Sequence, residues 1–280
     1  MSESLTAEQV ETAPAETSWL VALDIDGTTL REDGSISDTV IEQVRRLDAA
    51  GHQVMLATGR SCATTIPVLE PLGITPKFLV CCNGAITLRR DPGALGGYRR
   101  QWVESFDPTD VLRSIHTHLG NARFAVEDEF GHYRCTEPFP DATIGLDSEH
   151  VAFDELLNRQ ATRLVVASPD HDMENFLAMV EKMGLHRVSY AIGWTAWLDI
   201  AADGVNKATA MERVRVELGI PRERVMAVAD GRNDIELLSW AAEGGRGVAM
   251  GHSPAEVLDV AGEVTGTVHE DGLAQVLATL

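Results

Sequence analysis

Residues 19–28 read WLVALDIDGT, a short apolar run that changes abruptly into an acidic turn. Trp19–Leu23 is predicted to be a buried strand, since an unbroken apolar run suits a strand that is covered on both faces. A helical repeat of apolar residues follows over 37–51, and Val54–Ala57 and Phe78–Cys82 are the next two apolar strands. This alternation of strand and helix predicts a parallel sheet with helices on both of its faces.

The C-terminal third of the chain repeats this alternation, whereas the middle mixes short strands, helices and a Gly-rich turn. We therefore predict an α/β protein in which an inserted α+β unit interrupts a doubly wound parallel sheet, a Rossmann-like core. The predicted division is a disordered tail at 1–17, a core made of 18–85 and 196–280, and the insertion at 86–195.

The charge of the chain argues against several classes of partner. Lys and Arg number 23 against 43 Asp and Glu, so the formal net charge is -20. Such a surface repels a phosphate backbone, and nucleic acid is therefore not an expected partner. No apolar run approaches the roughly 20 residues of a membrane-spanning helix, so no membrane association is expected either. The polar N-terminus is unlike a secretory signal, so a cytoplasmic location is expected. The protein is expected to be a monomer or a homodimer.

The segment DIDGT (24–28) is the first candidate for chemistry. Side chains alternate along an extended segment, so the carboxylates of Asp24 and Asp26 can face the same side. Two neighbouring anions repel each other, and a bound divalent cation would relieve that repulsion. Oxygen ligands suit Mg²⁺. Taken alone, the segment is also compatible with a turn that carries incidental acids.

Three further polar motifs follow predicted strands or begin helices. TGR (58–60) offers a hydroxyl and backbone amides to a phosphate, or else it is a helix N-cap. Lys207 could neutralise phosphoryl oxygens, although a single lysine is usually a solvated surface residue. DGRND (230–234) could hold a metal through Asp230 and a phosphate at the next helix, or form an ordinary polar loop.

The positions of these four motifs predict a single site. In an open parallel sheet, ligands bind beyond the carboxyl ends of the strands. Each motif lies at such a strand end or at the start of a helix. We therefore expect motifs that are distant in sequence to meet in one crevice.

Six segments together resemble the haloacid dehalogenase superfamily, and within it the Cof-type phosphatases. They are ALDIDGTTL (22–30), ATGR (57–60), CNGA (82–85), GVNKATAM (204–211), ADGRNDIELL (229–238) and GVAMG (247–251). The resemblance covers residues 19–280 and implies a Mg²⁺-dependent phosphatase of small phosphorylated metabolites. Sugar phosphates are the first substrate class to expect. It also implies that the insertion is a cap domain, which closes over the site and selects substrates.

The resemblance further implies a catalytic and metal-binding set. Asp24 would be the nucleophile that forms an aspartyl-phosphate intermediate. Asp26 would protonate the leaving alcohol and then activate water. Mg²⁺ would be held by Asp24, Asp230 and the main-chain carbonyl of Asp26.

A second implied set would hold the phosphoryl group: Ile25 through its main chain, Thr58, Gly59, Lys207 and Asn233. Asp234 would orient the ligands from behind, and Arg60 and Asn83 would be possible substrate contacts. The chain departs from many relatives at His252, which follows GVAMG where they have Asn. We interpret His252 as incidental.

Three other functions compete with this interpretation. A phosphomutase of the same superfamily would return the phosphoryl group to the substrate instead of to water. A catalytically inactive binding or regulatory protein could use the same scaffold, but it would not need an intact Asp24, Asp26, Lys207 and Asp230. A receiver-type signalling domain also combines carboxylates, Mg²⁺, Thr and Lys, but it is too short to account for 280 residues.

Overall fold

A computed structural model describes residues 17–139, 148–169, 172–183, 185, 188–192 and 196–280. All but the last residue of the predicted disordered tail therefore lie outside the described residues. No helix in the described part of the chain is long and apolar enough to cross a membrane. The helices are α1 Asp38–Ala49, α2 Cys62–Thr65, α3 Leu69–Leu72, α4 Thr109–His118, α5 Met173–Met183, α6 Lys207–Leu218, α7 Ile235–Ala242, α8 Ala255–Val260 and α9 Gly272–Leu277.

The strands form three sheets. Their bounds, in chain order, are β1 Leu20–Leu23, β2 Gln53–Leu56, β3 Phe78–Cys81, β4 Ile86–Arg90, β5 Tyr98–Val103, β6 Arg123–Glu127, β7 Tyr133–Cys135, β8 Ser148–His150, β9 Arg163–Ala167, β10 Val188–Ile192, β11 Trp197–Ala202, β12 Val225–Ala229, β13 Arg246–Ala249 and β14 Glu263–Val264.

The central sheet is parallel, with the strand order β14-β13-β12-β1-β2. Side chains of β1 alternate between its faces, so that Val21 and Leu23 pack in one hydrophobic cluster and Leu20 and Ala22 in the other. Helices α1 and α9 cover the first face, and α6, α7 and α8 cover the second. The predicted doubly wound parallel sheet is therefore confirmed.

An antiparallel sheet of β3, β4 and β5 extends this core. Ala57, just after β2, forms a parallel bridge to Val80 of β3, which joins the two sheets. Ile86 of β4 packs in the same cluster as Val21, and Trp102 of β5 packs against the opposite cluster. The predicted boundary between 85 and 86 differs from this packing, because the apolar side chains of β4 and β5 are buried against the core.

The inserted sheet, as we call the third one, has the order β10-β11-β9-β6-β7-β8. Helices α4 and α5 pack on it around Leu112, Phe124 and Phe176. Leu198 and Ile200 of β11 belong to this cluster, although the predicted boundary between 195 and 196 assigns them to the core. Residues 193–195, at the predicted joint, lie outside the described residues. We therefore infer that the insertion runs from about residue 106 to 202.

Candidate active site

The predicted motifs meet at the carboxyl edge of the central sheet. Asp24 follows β1, Thr58 lies just beyond β2, and Asp230 follows β12. These three strands are adjacent and parallel. The backbone amide of Asp24 continues the pairing by donating to the carbonyl of Val228 at 3.0 Å. The strand order therefore places three motifs that are distant in sequence side by side.

A buried lysine joins two of these motifs. Lys207 begins α6 directly after its N-cap, Asn206. Its Nζ donates to Asp24 Oδ1 at 2.7 Å and to Asp234 Oδ1 at 2.6 Å. Only 1% of Lys207 is exposed. A buried ammonium group needs paired carboxylates to replace its hydration, so Lys207 is not the solvated surface residue that its sequence also allowed.

Burial and charge shift the pKa values of this cluster in a consistent way. Burial raises the pKa of Asp24 well above its ordinary value, against the opposing effect of Lys207. Burial likewise raises the pKa of Asp234, again against Lys207. For Lys207 itself burial lowers the pKa, but the charges of Asp234 and Asp24 outweigh it and the pKa lies above the ordinary value. The lysine therefore stays charged at neutral pH.

Asp230 lies against the turn that follows β1. A Cβ on Gly27 would come within 2.4 Å of Asp230 Oδ2, and the φ angle of Gly27 is +81°. Only glycine suits both conditions, because it has no Cβ and adopts positive φ at little cost. Thr28 Oγ1 donates to Asp230 Oδ1 at 2.7 Å. The DIDGT turn and the DGRND loop are therefore built around one another.

The site carries an excess of negative charge. The carboxylates of residues 24, 26, 230 and 234 share the site with two cations, Lys207 and Arg60. A divalent cation would balance this excess, and oxygen ligands are those that Mg²⁺ prefers. Among the described residues, no three His, Cys, Asp or Glu side chains are spaced to hold a metal ion. A metal here would thus need main-chain or water oxygens beside Asp24 and Asp230, a set that the residues present can provide.

Arg60 holds both carboxylate oxygens of Asp26. Its Nε donates to Asp26 Oδ2 at 2.8 Å and its Nη2 donates to Oδ1 at 2.5 Å. The hydrogen bond with Asp26 raises the pKa of Arg60. The side chain of Asp26 is nevertheless 60% exposed, unlike the buried Asp24. Both carboxylate oxygens of Asp26 are thus engaged by Arg60.

The predicted phosphate-binding residues are neighbours in space. A Cβ on Gly59 would lie 3.1 Å from Asn83 Oδ1 and 3.5 Å from Asn233 Nδ2, so this glycine leaves room for both amides. Asn233 Nδ2 donates to Asn83 Oδ1 at 2.9 Å. Thr58 is buried beside them and accepts the amide hydrogen of Arg60 at 3.2 Å. We call Thr58, Gly59 and Asn233 the phosphate seat, after the role that the sequence predicts for them.

Ile25 differs from this group because its side chain is fully buried in the core. Only its main chain can therefore face a ligand. Its carbonyl accepts from the amides of Thr29 and Leu30 at 2.9 and 2.7 Å, which closes the turn after β1.

Two contacts at the site were not predicted from the sequence. Asn83 Nδ2 donates to Asp199 Oδ2 at 2.9 Å, which brings the inserted sheet to the phosphate seat. His252 Nε2 lies 3.7 Å from Asp230 Oδ2, and the interaction with this carboxylate raises the pKa of His252. Both had a signal in the sequence. Asp199 is a single acid inside the apolar strand WLDIAA, and His252 follows β13 at the same edge of the sheet as Asp230.

Comparison with known proteins places these features in a wider group. A family model described as haloacid dehalogenase-like hydrolase matches residues 21–277. A 5-amino-6-(5-phospho-D-ribitylamino)uracil phosphatase of Bacillus subtilis is 29% identical, over 96% of this chain and 98% of its own length. A pyridoxal phosphate phosphatase of Escherichia coli is 27% identical, over 92% of this chain and 97% of its own length. The solved structure of a subclass IIB sugar phosphatase aligns over 94% of this chain and 98% of its own, with a TM-score of 0.77 and 20% identity.

Proposed function

Because this chain belongs to the haloacid dehalogenase-like hydrolases, we propose that it is a Mg²⁺-dependent phosphatase of small phosphorylated metabolites. One observation carries the proposal: Asp24 is buried against Lys207 at the carboxyl edge of the sheet, with Asp26 two residues further on. A carboxylate held in this way can act as a nucleophile, and a second carboxylate nearby can serve as acid and base.

In the proposed first step, an oxygen of Asp24 attacks phosphorus. Oδ1 is engaged by Lys207, and no hydrogen bond to Oδ2 occurs within the described part of the chain, so Oδ2 is the better attacking atom. The bond from phosphorus to the ester oxygen breaks as the aspartyl-phosphate forms. Lys207 is fixed beside the nucleophile and offsets the negative charge that gathers on the phosphoryl oxygens.

Asp26 moves the proton in both steps. Once released from Arg60, Asp26 in its protonated form gives its proton to the ester oxygen, which leaves as an alcohol. In the second step water attacks phosphorus and gives a proton to Asp26, and Asp24 is freed with inorganic phosphate. Arg60 is well placed to hold Asp26 between turnovers, since it engages both oxygens of that carboxylate.

Asp24, Asp230 and the main-chain carbonyl of Asp26 would hold Mg²⁺. When bound, the ion would supply positive charge to the nucleophile and the phosphoryl group. The excess of carboxylates and the closeness of Gly27 to both oxygens of Asp230 support this assignment. The phosphate seat, together with Lys207 and the main chain of Ile25, would bind the remaining phosphoryl oxygens.

Sugar phosphates are the substrate class we propose first. The Bacillus subtilis relative is named for a substrate whose phosphate is carried by a ribityl chain. A cavity of 440 Å³ adjoins the phosphate seat between the inserted sheet and the core. Its polar lining residues are Asn83, Ser189, Tyr190, Asp199, Asn206, Arg232, Asn233 and Glu236. Amides, hydroxyls and carboxylates of this kind match the hydroxyl groups of a sugar or sugar alcohol.

Phosphate release tests the proposal directly. Protein freed of metal with EDTA is assayed on sugar phosphates, nucleotides, flavin mononucleotide and pyridoxal phosphate, before and after addition of Mg²⁺ or Ca²⁺. We expect steady release only with Mg²⁺, because Ca²⁺ takes more ligands at longer distances. Steady release into water also separates a phosphatase from a phosphomutase.

The matched variants are Asp24→Asn and Asp33→Asn. Asp33 is an exposed acid nine residues away that accepts the amide hydrogen of Ser35. We expect Asp24→Asn to abolish release while keeping the fold, and Asp33→Asn to keep both. Release that is undiminished in EDTA refutes the metal, and full activity in folded Asp24→Asn refutes the nucleophile.

A further inference from the structure

We propose that Asp199, in strand β11 of the inserted sheet, is a positioning residue for phosphoryl binding that acts through Asn83 on Asn233. The inference rests on the proposed function, because Asn233 is taken to hold the phosphoryl group. It goes beyond that function because the orientation of Asn233 in the phosphate seat then depends on a carboxylate of the inserted sheet, which does not itself touch the phosphorus of the substrate.

The carboxylate of Asp199 is held rigidly from its own sheet. Arg163 of β9 donates from Nε to Asp199 Oδ1 at 2.7 Å and from Nη2 to Oδ2 at 2.6 Å. The two side chains are only 4% and 9% exposed. A buried, bidentate pair of this kind has little freedom to rotate, since any other orientation leaves a buried charge without a partner.

Asn83 receives this orientation in an unusual backbone turn. Cys82 and Asn83 both have positive φ angles, +52° and +51°, which cost energy for residues other than glycine. A Cβ on Gly84 would lie 2.2 Å from the carbonyl oxygen of Asn206, so the turn is pressed against the start of α6. The side chains of both residues contact the inserted sheet: Cys82 Sγ donates to Glu127 Oε2 at 3.4 Å, and Asn83 Nδ2 donates to Asp199 Oδ2 at 2.9 Å.

The acceptor-only character of Asp199 decides which way the amide of Asn83 points. An ionised carboxylate cannot donate, so the Nδ2 of Asn83 has to face it. The Oδ1 of Asn83 then faces Asn233 and accepts from its Nδ2 at 2.9 Å. Asn233 Nδ2 carries two hydrogens, and this contact uses one of them. The other is left to donate to a phosphoryl oxygen over Gly59.

The relay would fail if the amide of Asn83 turned over. Its Nδ2 would then face the Nδ2 of Asn233, donor against donor, and Asn233 would have to turn as well. The donor of the phosphate seat would be replaced by an acceptor, which repels a phosphoryl oxygen. Asp199 thus sets the polarity of the chain of hydrogen bonds that ends at the substrate.

Asp199→Asn tests the relay with almost no change in volume. Both oxygens of Asp199 accept hydrogen bonds, whereas asparagine has a single acceptor oxygen. The asparagine therefore cannot accept from both nitrogens of Arg163 and from Asn83. We expect kcat/KM for the best substrate to fall about 10-fold, as for other residues that orient a ligand from behind. The affinity for inorganic phosphate in the presence of Mg²⁺, measured by calorimetry, should fall by a similar factor.

A double-mutant cycle separates positioning from mere structural support. In an Asn233→Ala background the donor at the end of the relay is gone, so adding Asp199→Asn should cost less than about twofold. The control is Glu263→Gln, which breaks another bidentate pair, with Arg246 at the edge of the central sheet. It should keep kcat/KM and phosphate affinity.

Several results would overturn the inference. One is a double variant whose loss in kcat/KM equals the product of the losses of Asp199→Asn and Asn233→Ala, since the two residues then act independently. Another is an unchanged affinity for inorganic phosphate in a folded Asp199→Asn variant. If Asp199→Asn does not fold, Asn83→Gly decides, because glycine keeps the positive φ and removes only the amide; it must show the same coupling to Asn233→Ala. Wild-type protein that releases no phosphate from any ester would refute the proposed function, while phosphate affinity still judges the relay.

Discussion

Replacing Lys207 with methionine should destabilise the fold in a pH-dependent way. Methionine keeps the length of the side chain but removes the charge between Asp24 and Asp234. Lys207 is 1% exposed and lies 2.7 and 2.6 Å from the two carboxylates. Removing one member of a buried ion pair costs about 3–5 kcal/mol. Here one ammonium serves two carboxylates, so we expect a loss of at least this size at pH 8 without metal.

The pH dependence follows from the direction of the pKa shifts. Burial already raises the pKa of Asp24 and of Asp234, and Lys207 opposes both shifts. Without Lys207 both pKa values should rise further. A group whose pKa is raised by folding favours the folded state below its unfolded pKa, and this contribution is lost as the pH rises through the folded pKa. The loss in the variant should therefore be largest at pH 8 and shrink towards pH 5, where these carboxyls can take up protons.

The measurement is the free energy of unfolding in urea at pH 5, 6, 7 and 8, in EDTA. Two further variants test whether the loss of stability comes from the unpaired buried carboxylates. Lys207→Met combined with Asp234→Asn removes one of the two stranded charges and should recover part of the loss at pH 8. Lys182→Met, on the exposed face of α5, should change little at any pH. A loss that is equal at all four pH values, or below about 1 kcal/mol, would refute the buried-charge reasoning.

Two further predictions concern proton transfer and the link to the inserted sheet. Asp26→Asn should lower kcat about 10²–10⁴-fold for alkyl phosphates, and less for p-nitrophenyl phosphate, whose leaving group needs no proton; equal losses for both esters would contradict the acid role. Gly204→Ala and Gly34→Ala should each cost about 1 kcal/mol in urea unfolding, since both glycines have positive φ and open space around a Cβ. Only Gly204→Ala should also change kcat/KM, because Gly204 lies in the connection between β11 of the inserted sheet and α6 of the core. An equal effect of Gly34→Ala on kcat/KM would show that the change is not specific to this connection.

The parallel core could be predicted because its strands carry their own signal. The run before Asp24 is apolar on both faces, and β1 does pack its residues alternately into the two hydrophobic clusters. The same signal could not assign β4, β5 and β11 to a sheet. Alternation within a strand indicates one or two buried faces, but it carries no information about which strand lies beside it. The predicted boundaries at 85/86 and 195/196 stay predictions, and the packing of β4, β5 and β11 favours about 106 and 202 instead.

The candidate site divides in the same way. Asp24, Thr58 and Asp230 could be expected to meet, because the carboxyl ends of adjacent parallel strands share one edge. The pairing of Arg60 with Asp26 and of Asn83 with Asp199 could not, since long side chains reach across elements whose spacing the sequence does not fix. A buried acid in WLDIAA indicates that some partner exists, because a buried charge needs one. It does not name Arg163, which lies 36 residues earlier.

The contacts of the Cys82–Asn83 turn change what the insertion is expected to contribute. The sequence predicts a cap that selects substrates, above a core that does not depend on it. The structure instead shows two of its side chains, Glu127 and Asp199, bonded to a strained turn of the core beside the phosphate seat. A positive φ at two consecutive non-glycine residues persists only where surrounding contacts fix it. A core without the insertion would lose those contacts, and the amide of Asn83 would be free to turn over. We therefore expect such a core to bind phosphate weakly as well as to discriminate poorly, because the insertion supplies part of the order of the site itself.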